Sequence, residues 1–175
     1  MAGFKEFGMK IVLIGFMGSG KSTVAKALSK LLGLGLVEMD ELVCQKTNAA
    51  NMHEVFERGG ELLLRETEIA VAKEISLKRD LVVSTGGGVP LNKIILDYFK
   101  EGGAKVVFLN AGFEKIVERL EGDDFRPLFT NPREAKKIYD FRLPLYINYA
   151  DEVVEVDSHS PDQIALQIRG LVNGF

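Results

Sequence analysis

Gly15-Phe16-Met17-Gly18-Ser19-Gly20-Lys21-Ser22 has the form G-x-x-x-x-G-K-S. It stands directly after the apolar run Lys10 to Ile14 and opens a segment of helical period, Ser22 to Leu32. Glycines in such a turn let backbone N–H groups wrap an anion, because side chains there would block close approach or the φ angles the loop needs. The N-terminus of the following helix adds partial positive charge. Lys21 is placed to reach the β- and γ-phosphates of a nucleotide, and the Ser22 hydroxyl to ligate Mg²⁺ whose other partners are phosphate oxygens and waters. The plainer reading, a tight strand-to-helix turn with an incidental Gly-Lys-Ser, requires strand, glycines, lysine and hydroxyl to coincide by chance.

Outward from this loop, further apolar runs rich in β-branched residues lie at Leu36 to Met39, Leu81 to Thr85, Lys105 to Leu109 and Glu152 to Val156. Several are apolar without alternation, as expected of parallel strands covered on both faces. Helical period marks Glu61 to Leu77, Asn92 to Lys100, Phe113 to Leu120 and Pro161 to Val172. Strand alternating with helix predicts a three-layer α/β fold. Gly33 and Gly35 fit a helix stop, and Ser160-Pro161-Asp162-Gln163 combines an N-cap, a proline at the first helical position and a capping-box glutamine. Glu121 to Arg133 is charged and irregular, with Gly122, Pro127 and Pro132, and suits a mobile loop over a site.

The 175 residues, 46% of them hydrophobic, suffice for one substantial core and predict a single domain over 9–175. Met1 to Gly8 follows neither period and reads as an extension before a second Met-Lys-Ile start. With 22 basic and 25 acidic residues the formal charge is −3, which offers no positive field for nucleic acid. No window of 18 apolar residues and no signal-peptide core occur, so a cytoplasmic protein without membrane contact is expected. Balanced charge and compactness suit a monomer. The one cysteine, Cys44, has no partner for a disulfide or for a metal at ligand spacing.

The acceptor of a phosphoryl group must be read elsewhere. Asp40 follows the second strand at its carboxyl end, where open α/β sheets place ligands, and a carboxylate there can hold an acceptor hydroxyl and take its proton. It could equally cap a helix. Glu38, two residues earlier on the extended chain, points to the same side and could contact metal-bound water, or be a strand-end surface charge. Arg65 with Glu68 is either an i, i+3 surface pair or a guanidinium aimed at a substrate carboxylate. Ser84-Thr85-Gly86-Gly87-Gly88 closes the third strand with backbone N–H groups open to a ligand, or is a plain turn. Ser84 could hold a water on Mg²⁺. Arg126-Pro127-Leu128 and Arg142-Leu143-Pro144-Leu145-Tyr146 each place an arginine before a proline.

Taken together, the phosphate loop, Glu38-Met39-Asp40, Gly60-Glu61 with Arg65, the Gly86 to Gly88 triplet and the two arginine-proline segments resemble the shikimate kinase family in order and spacing, over about Lys10 to Val172. The resemblance implies a P-loop, nucleoside-monophosphate-kinase-like fold, with a five-stranded parallel sheet of order 2-3-1-4-5, helices on its faces, a substrate-binding subregion over about 40–68 and a lid over about 121–133. It implies ATP-dependent phosphorylation of the 3-hydroxyl of shikimate, a step toward chorismate and the aromatic amino acids, with Mg²⁺ and ATP. Carried over position by position, it implies that Gly18, Ser19, Gly20, Lys21, Ser22 and Thr23 bind ATP phosphates. Arg119 would stack on adenine, with Ser160 and Pro161 bordering the base. Asp40 would receive the hydroxyl, Arg65 and Arg142 the carboxylate, and Phe56, Gly86, Gly87 and Gly88 would line the pocket. Glu68 would orient Arg65, and Arg126 would stabilise the transferring phosphoryl group.

Three positions depart from the family pattern. Glu38 stands where an aspartate is common, Leu64 where an aromatic residue often precedes the arginine, and Thr47 to Met52 is one residue longer than the usual Gly-x-Ser/Thr-Ile stretch. The competing expectations are a kinase of gluconate or another polyhydroxy acid, a nucleoside monophosphate kinase, and a non-catalytic nucleotide-binding module. The paired arginines weigh against the first, the glycine triplet against the second, and the presence of Lys21, Asp40 and Arg126 against the third.

Overall fold

The computed structural model describes residues 8–120 and 131–172. Five strands, β1 (Lys10–Ile14), β2 (Gly35–Glu38), β3 (Leu81–Ser84), β4 (Lys105–Asn110) and β5 (Glu152–Glu155), form one parallel sheet in the order β2-β3-β1-β4-β5. This is the order and direction that the family resemblance implied. β1 lies at the centre, and all five of its residues are buried; from Ile11 to Ile14 it is apolar without alternation, as befits a strand covered on both faces. The chain fills β3 and β2 on one side of β1, then β4 and β5 on the other. The switch of direction opens a crevice at the carboxyl ends of the central strands.

The helices are α1 (Lys21–Leu32), α2 (Met39–Thr47), α3 (Met52–Ser76), α4 (Lys93–Glu101), α5 (Phe113–Leu120), α6 (Pro132–Tyr149) and α7 (Pro161–Val172), with a short 3₁₀ turn at Val89–Leu91. α1 packs on α7, and α3 packs on both α2 and α4. The core joins the strand residues Ile11, Leu13, Val82, Val107 and Leu109 to Leu28, Val71, Ile75, Leu96, Ile164 and Ile168 from the helices. Lys10 is also buried. Its Nζ donates to the carbonyls of Ser76 at 2.6 Å and Gly102 at 3.1 Å, tying the ends of α3 and α4 to the first strand. Burial lowers its pKa. Among the described residues no helix is long and apolar enough to cross a membrane.

Several sequence expectations are corrected. Met39, expected as the last residue of the second strand, instead opens α2 with Asp40 next to it and Glu38 at the N-cap, so the same-side argument for Glu38 and Asp40 along an extended chain does not apply. Thr85 lies past the end of β3. Helix α3 begins at Met52 rather than Glu61, and is broken within itself at Gly60 (φ 63°, ψ −157°), a conformation essentially restricted to glycine. Pro132 and Arg133, assigned above to the lid, form the first turn of α6, where Asn131 accepts from the Arg133 and Glu134 amides. Residues 121–130, and with them Arg126-Pro127-Leu128, lie outside the described residues.

Candidate active site

The phosphate loop joins β1 to α1 across the sheet's central crevice. Gly20 sits at the N-cap with φ 93°, which leaves the first helical amides facing the loop's interior. Lys21 is buried, and its Nζ donates to the Gly15 and Phe16 carbonyls, each at 2.9 Å. The ammonium is thereby held inside the loop it would share with a phosphate. From the neighbouring element, Arg119 of α5 donates to the Gly18 carbonyl at 3.3 Å. Ser160 and Gln163 form the expected reciprocal cap, Ser160 N–H to Gln163 Oε1 at 2.8 Å and Gln163 N–H to Ser160 Oγ at 3.3 Å.

Parallel pairing sets Glu38, the last residue of β2, beside Ser84, the last of β3. Ser22 Oγ donates to Glu38 Oε2 at 3.0 Å and lies 3.4 Å from Ser84 Oγ. Glu38 Oε1 is buried with no hydrogen-bond partner in the structure. A buried carboxylate oxygen left open beside two hydroxyls suits the water shell of a hard divalent cation. Among the described residues no group of three acidic, His or Cys side chains is arranged to hold a metal ion by itself, so such a cation would need phosphate oxygens and waters to complete its shell.

Each glycine of the triplet after β3 admits a different neighbour. A Cβ on Gly86 would stand 3.0 Å from Asp40 Oδ1 and 3.2 Å from Glu68 Oε1. On Gly87 it would meet the Met17 amide nitrogen at 3.1 Å, and on Gly88 the Arg65 guanidinium at 2.5 Å. The triplet is therefore the floor on which the phosphate loop, the first turn of α2 and the middle of α3 converge.

Arg65 is gripped by two acids of its own helix. Its Nη1 donates to Glu68 Oε2 at 2.6 Å, while Nε and Nη2 donate to Glu61 Oε1 at 3.3 and 3.2 Å. Burial opposes the charge on Arg65, and the Glu68 and Glu61 carboxylates more than offset it, so the pKa rises. For Glu68, only 2% exposed, burial dominates the opposing pull of Arg65 and raises its pKa, with the charge of Asp40 adding to the rise. Arg142 of α6 approaches from the other side, donating to the Gly87 carbonyl at 3.2 Å with its guanidinium 5.8 Å from the centre of the Phe16 ring. Asp40 also lines a cavity of about 700 Å³ together with Cys44, Asn48 and Met52.

The structure thus gathers Lys21, Ser22, Glu38, Ser84, Asp40, Arg65, Glu68, the glycine triplet and Arg142 at one end of the sheet. Phe56, expected as a pocket wall, is 51% exposed. Sequence reading gave no role to Tyr146, whose hydroxyl donates to the Gly87 carbonyl, or to Glu61. The available signal was spacing: Tyr146 is four residues after Arg142, and Glu61 four before Arg65, each one helical turn away.

Two arginines and an aspartate gathered on one glycine floor beside a phosphate loop suit phosphoryl transfer to a hydroxylated acid, and comparison with known proteins agrees. The family model described as shikimate kinase matches residues 17–172. The chain is 36% identical over 163 residues to the shikimate kinase of Persephonella marina, covering 93% of this chain and 98% of that one. It is 37% identical over 161 residues to the enzyme of Aquifex aeolicus, covering 91% and 94%. Among solved structures, the shikimate kinase of Acinetobacter baumannii in complex with shikimate superposes with a TM-score of 0.88 at 30% identity, over 97% of this chain and 95% of that one. For the A. aeolicus shikimate kinase the TM-score is 0.80 at 34% identity, over 95% and 97%. By sequence along nearly its whole length, and by the fold that carries its phosphate loop and paired arginines, the chain belongs to the shikimate kinase family.

Proposed function

We propose that the chain transfers the γ-phosphoryl group of ATP to the 3-hydroxyl of shikimate, giving ADP and shikimate 3-phosphate, and so serves the route to chorismate and the aromatic amino acids. The observation that carries this reading is the convergence of Asp40, Arg65 and Arg142 on the Gly86–Gly88 floor, next to the loop that holds Lys21. Arg65 and Arg142 receive the acceptor's carboxylate, and Glu68 holds Arg65 in place. Asp40 orients the 3-hydroxyl toward the γ-phosphorus and takes its proton as the new O–P bond forms and the bond to the ADP oxygen breaks. Phe56, Gly86, Gly87 and Gly88 border the acceptor.

On the nucleotide side, Gly18, Ser19, Gly20, Lys21, Ser22 and Thr23 surround the phosphates, Arg119 stacks on the base, and Ser160 and Pro161 border it. Mg²⁺ fits the open Glu38 oxygen: Ser22 would bind it directly, with Glu38 and Ser84 holding its waters, and it would neutralise phosphate charge. Arg126, outside the described residues, adds positive charge to the transferring group. The protein is read as a cytoplasmic monomer that needs neither membrane nor nucleic acid.

A coupled ADP-release assay tests the reading by comparing shikimate with gluconate and nucleoside monophosphates. Saturable turnover with shikimate alone is expected. Preferred turnover of gluconate would move the chain to the polyhydroxy-acid kinases, and nucleotide binding without turnover of any acceptor would make it a binding module.

A further inference from the structure

A guanidinium has five N–H groups and two edges, Nη1/Nη2 and Nε/Nη2, on which a carboxylate can bind bidentately. Around Arg65 these positions are nearly all taken. Nη1 donates to Glu68 at 2.6 Å. The Nη1/Nη2 end lies against Gly88 so closely that a Cβ there would be 2.5 Å from Nη2, 2.6 Å from Nη1 and 2.9 Å from Cζ. The remaining edge, Nε/Nη2, is bridged by a single oxygen of Glu61.

The two acids hold Arg65 with different strength. The Glu68 side chain is 3% exposed, and swinging it out would leave a buried charge unpaired, whereas the Glu61 side chain is 63% exposed and its contacts are 3.2–3.3 Å long. An exposed carboxylate that lets go of its partner is promptly hydrated, so that contact is cheap to break. We infer that Glu61 is a resident competitor for the acceptor's carboxylate: it holds the Arg65 edge that a second carboxylate would use, and an acidic acceptor binds there by displacing it. This rests on the reading that Arg65 receives the acceptor's carboxylate.

Charge balance points the same way. Glu61, Glu68 and Asp40 already face Arg65 and Arg142, and an acceptor acid would add a fourth carboxylate unless one of the three departs for water. Asp40 and Glu61 are both exposed and Glu68 is buried, but Asp40 is the residue read as taking the acceptor hydroxyl, and of the two acids hydrogen-bonded to Arg65 only Glu61 is exposed. The arrangement also selects. A neutral polyol offers no carboxylate to exchange for Glu61, so the arginine edge stays closed to it.

Calorimetric titration of shikimate into the full-length Glu61→Gln and Glu61→Ala variants tests the exchange, with Glu66→Gln as a control that removes a neighbouring charge forming no ion pair with Arg65. Both Glu61 variants are expected to bind shikimate about two- to fivefold more tightly, as befits loss of an exposed competing pair. The control should change less, and the uncharged methyl ester of shikimate should gain nothing. Unchanged or weaker shikimate binding in both Glu61 variants, or an equal gain in Glu66→Gln, overturns the inference. Arg65→Ala separates the two levels. If it leaves shikimate affinity intact, the carboxylate clamp itself is wrong. If it weakens binding tenfold or more while the Glu61 variants do not tighten it, the clamp stands and the displacement fails.

Discussion

Tyr146 donates its hydroxyl to the carbonyl of Gly87 at 2.5 Å from a side chain that is 1% exposed. Its ring is stacked on Phe108 with centroids 5.0 Å apart, and burial pushes the phenol's pKa upward, so it remains a donor. Arg142, one helical turn earlier, donates to the same oxygen. Because the peptide is planar and trans, fixing the Gly87 carbonyl also fixes the Gly88 N–H, which points the opposite way.

Tyr146→Phe keeps the ring and its stack and removes only the donor. The Gly87 carbonyl retains Arg142, so the stability loss should be about 1 kcal/mol, read from the denaturant midpoint. The Gly87–Gly88 peptide loses one of its two anchors, and KM for shikimate should rise several-fold with KM for ATP unchanged. Equal loss for both substrates would mean that the hydroxyl serves the core alone.

Gly88→Ala places a methyl group within 2.5–2.9 Å of the Arg65 guanidinium, which must then leave the position set by Glu68. Overpacking of this kind costs about 1–3 kcal/mol, here directed at one side chain. We expect kcat/KM for shikimate to fall roughly 10- to 100-fold while nucleotide affinity, measured by titration with ATP, holds.

Gly60→Ala is the contrasting case. A Cβ at Gly60 meets nothing within 4 Å, so no neighbour is displaced. The backbone at φ 63°, ψ −157° is the obstacle, and holding it with a side chain costs about 1–3 kcal/mol. The thermal midpoint should drop. The break between the two halves of α3 sits one residue before Glu61 and a turn before Arg65, so straightening it should also weaken shikimate binding.

The raised pKa of Glu68 gives the site a pH dependence of definite sign. As pH falls into a window that begins above the ordinary glutamate range, Glu68 takes up a proton and its grip on Arg65 weakens. KM for shikimate should therefore rise on the acid side. Glu68→Gln should show a high KM with this acid dependence removed. The folded chain binds that proton more readily than the unfolded one, so the contribution of Glu68 to stability declines as pH rises through the same window.

Legibility from sequence followed the strength of the local signal. β1, α1 and the loop between them read correctly because strand, glycines and helix lie together in about twenty residues and agree at every level. Helix α2 did not, since its nine residues bury only Met39 and Val43, too few for a period to show. Helix α6 was hidden by Pro132 and Pro144 and by a charged face. Pro132 occupies the first turn, where a missing N–H costs nothing, and the buried Ala135, Tyr139 and Tyr146 keep helical spacing around Pro144. Taken singly, Asp40 reads as well as a helix cap, Arg65 as half of a surface ion pair, and Arg142 only as an arginine before a proline. Their meeting is made by the Gly86–Gly88 floor, a tertiary fact that local sequence carries only as three glycines.

Glu38 stands where the family pattern commonly has aspartate and carries its carboxylate one methylene further from the backbone. The carboxylate reaches Ser22 Oγ at 3.0 Å with one oxygen and leaves the other buried and unpartnered. If that oxygen serves the waters of Mg²⁺, Glu38→Gln should raise the Mg²⁺ concentration needed for half-maximal activity several-fold, because the neutral amide is the weaker acceptor and one end of it is a donor. Glu38→Asp should fall between the two, since the shorter chain keeps the charge but withdraws it from Ser22. Chelation of divalent ions should abolish turnover in all three proteins, while shikimate binding, measured without nucleotide, stays within about twofold of the parent because Glu38 contacts Ser22 rather than Arg65. An unchanged Mg²⁺ dependence in Glu38→Gln would assign this carboxylate to holding the Ser22 hydroxyl alone.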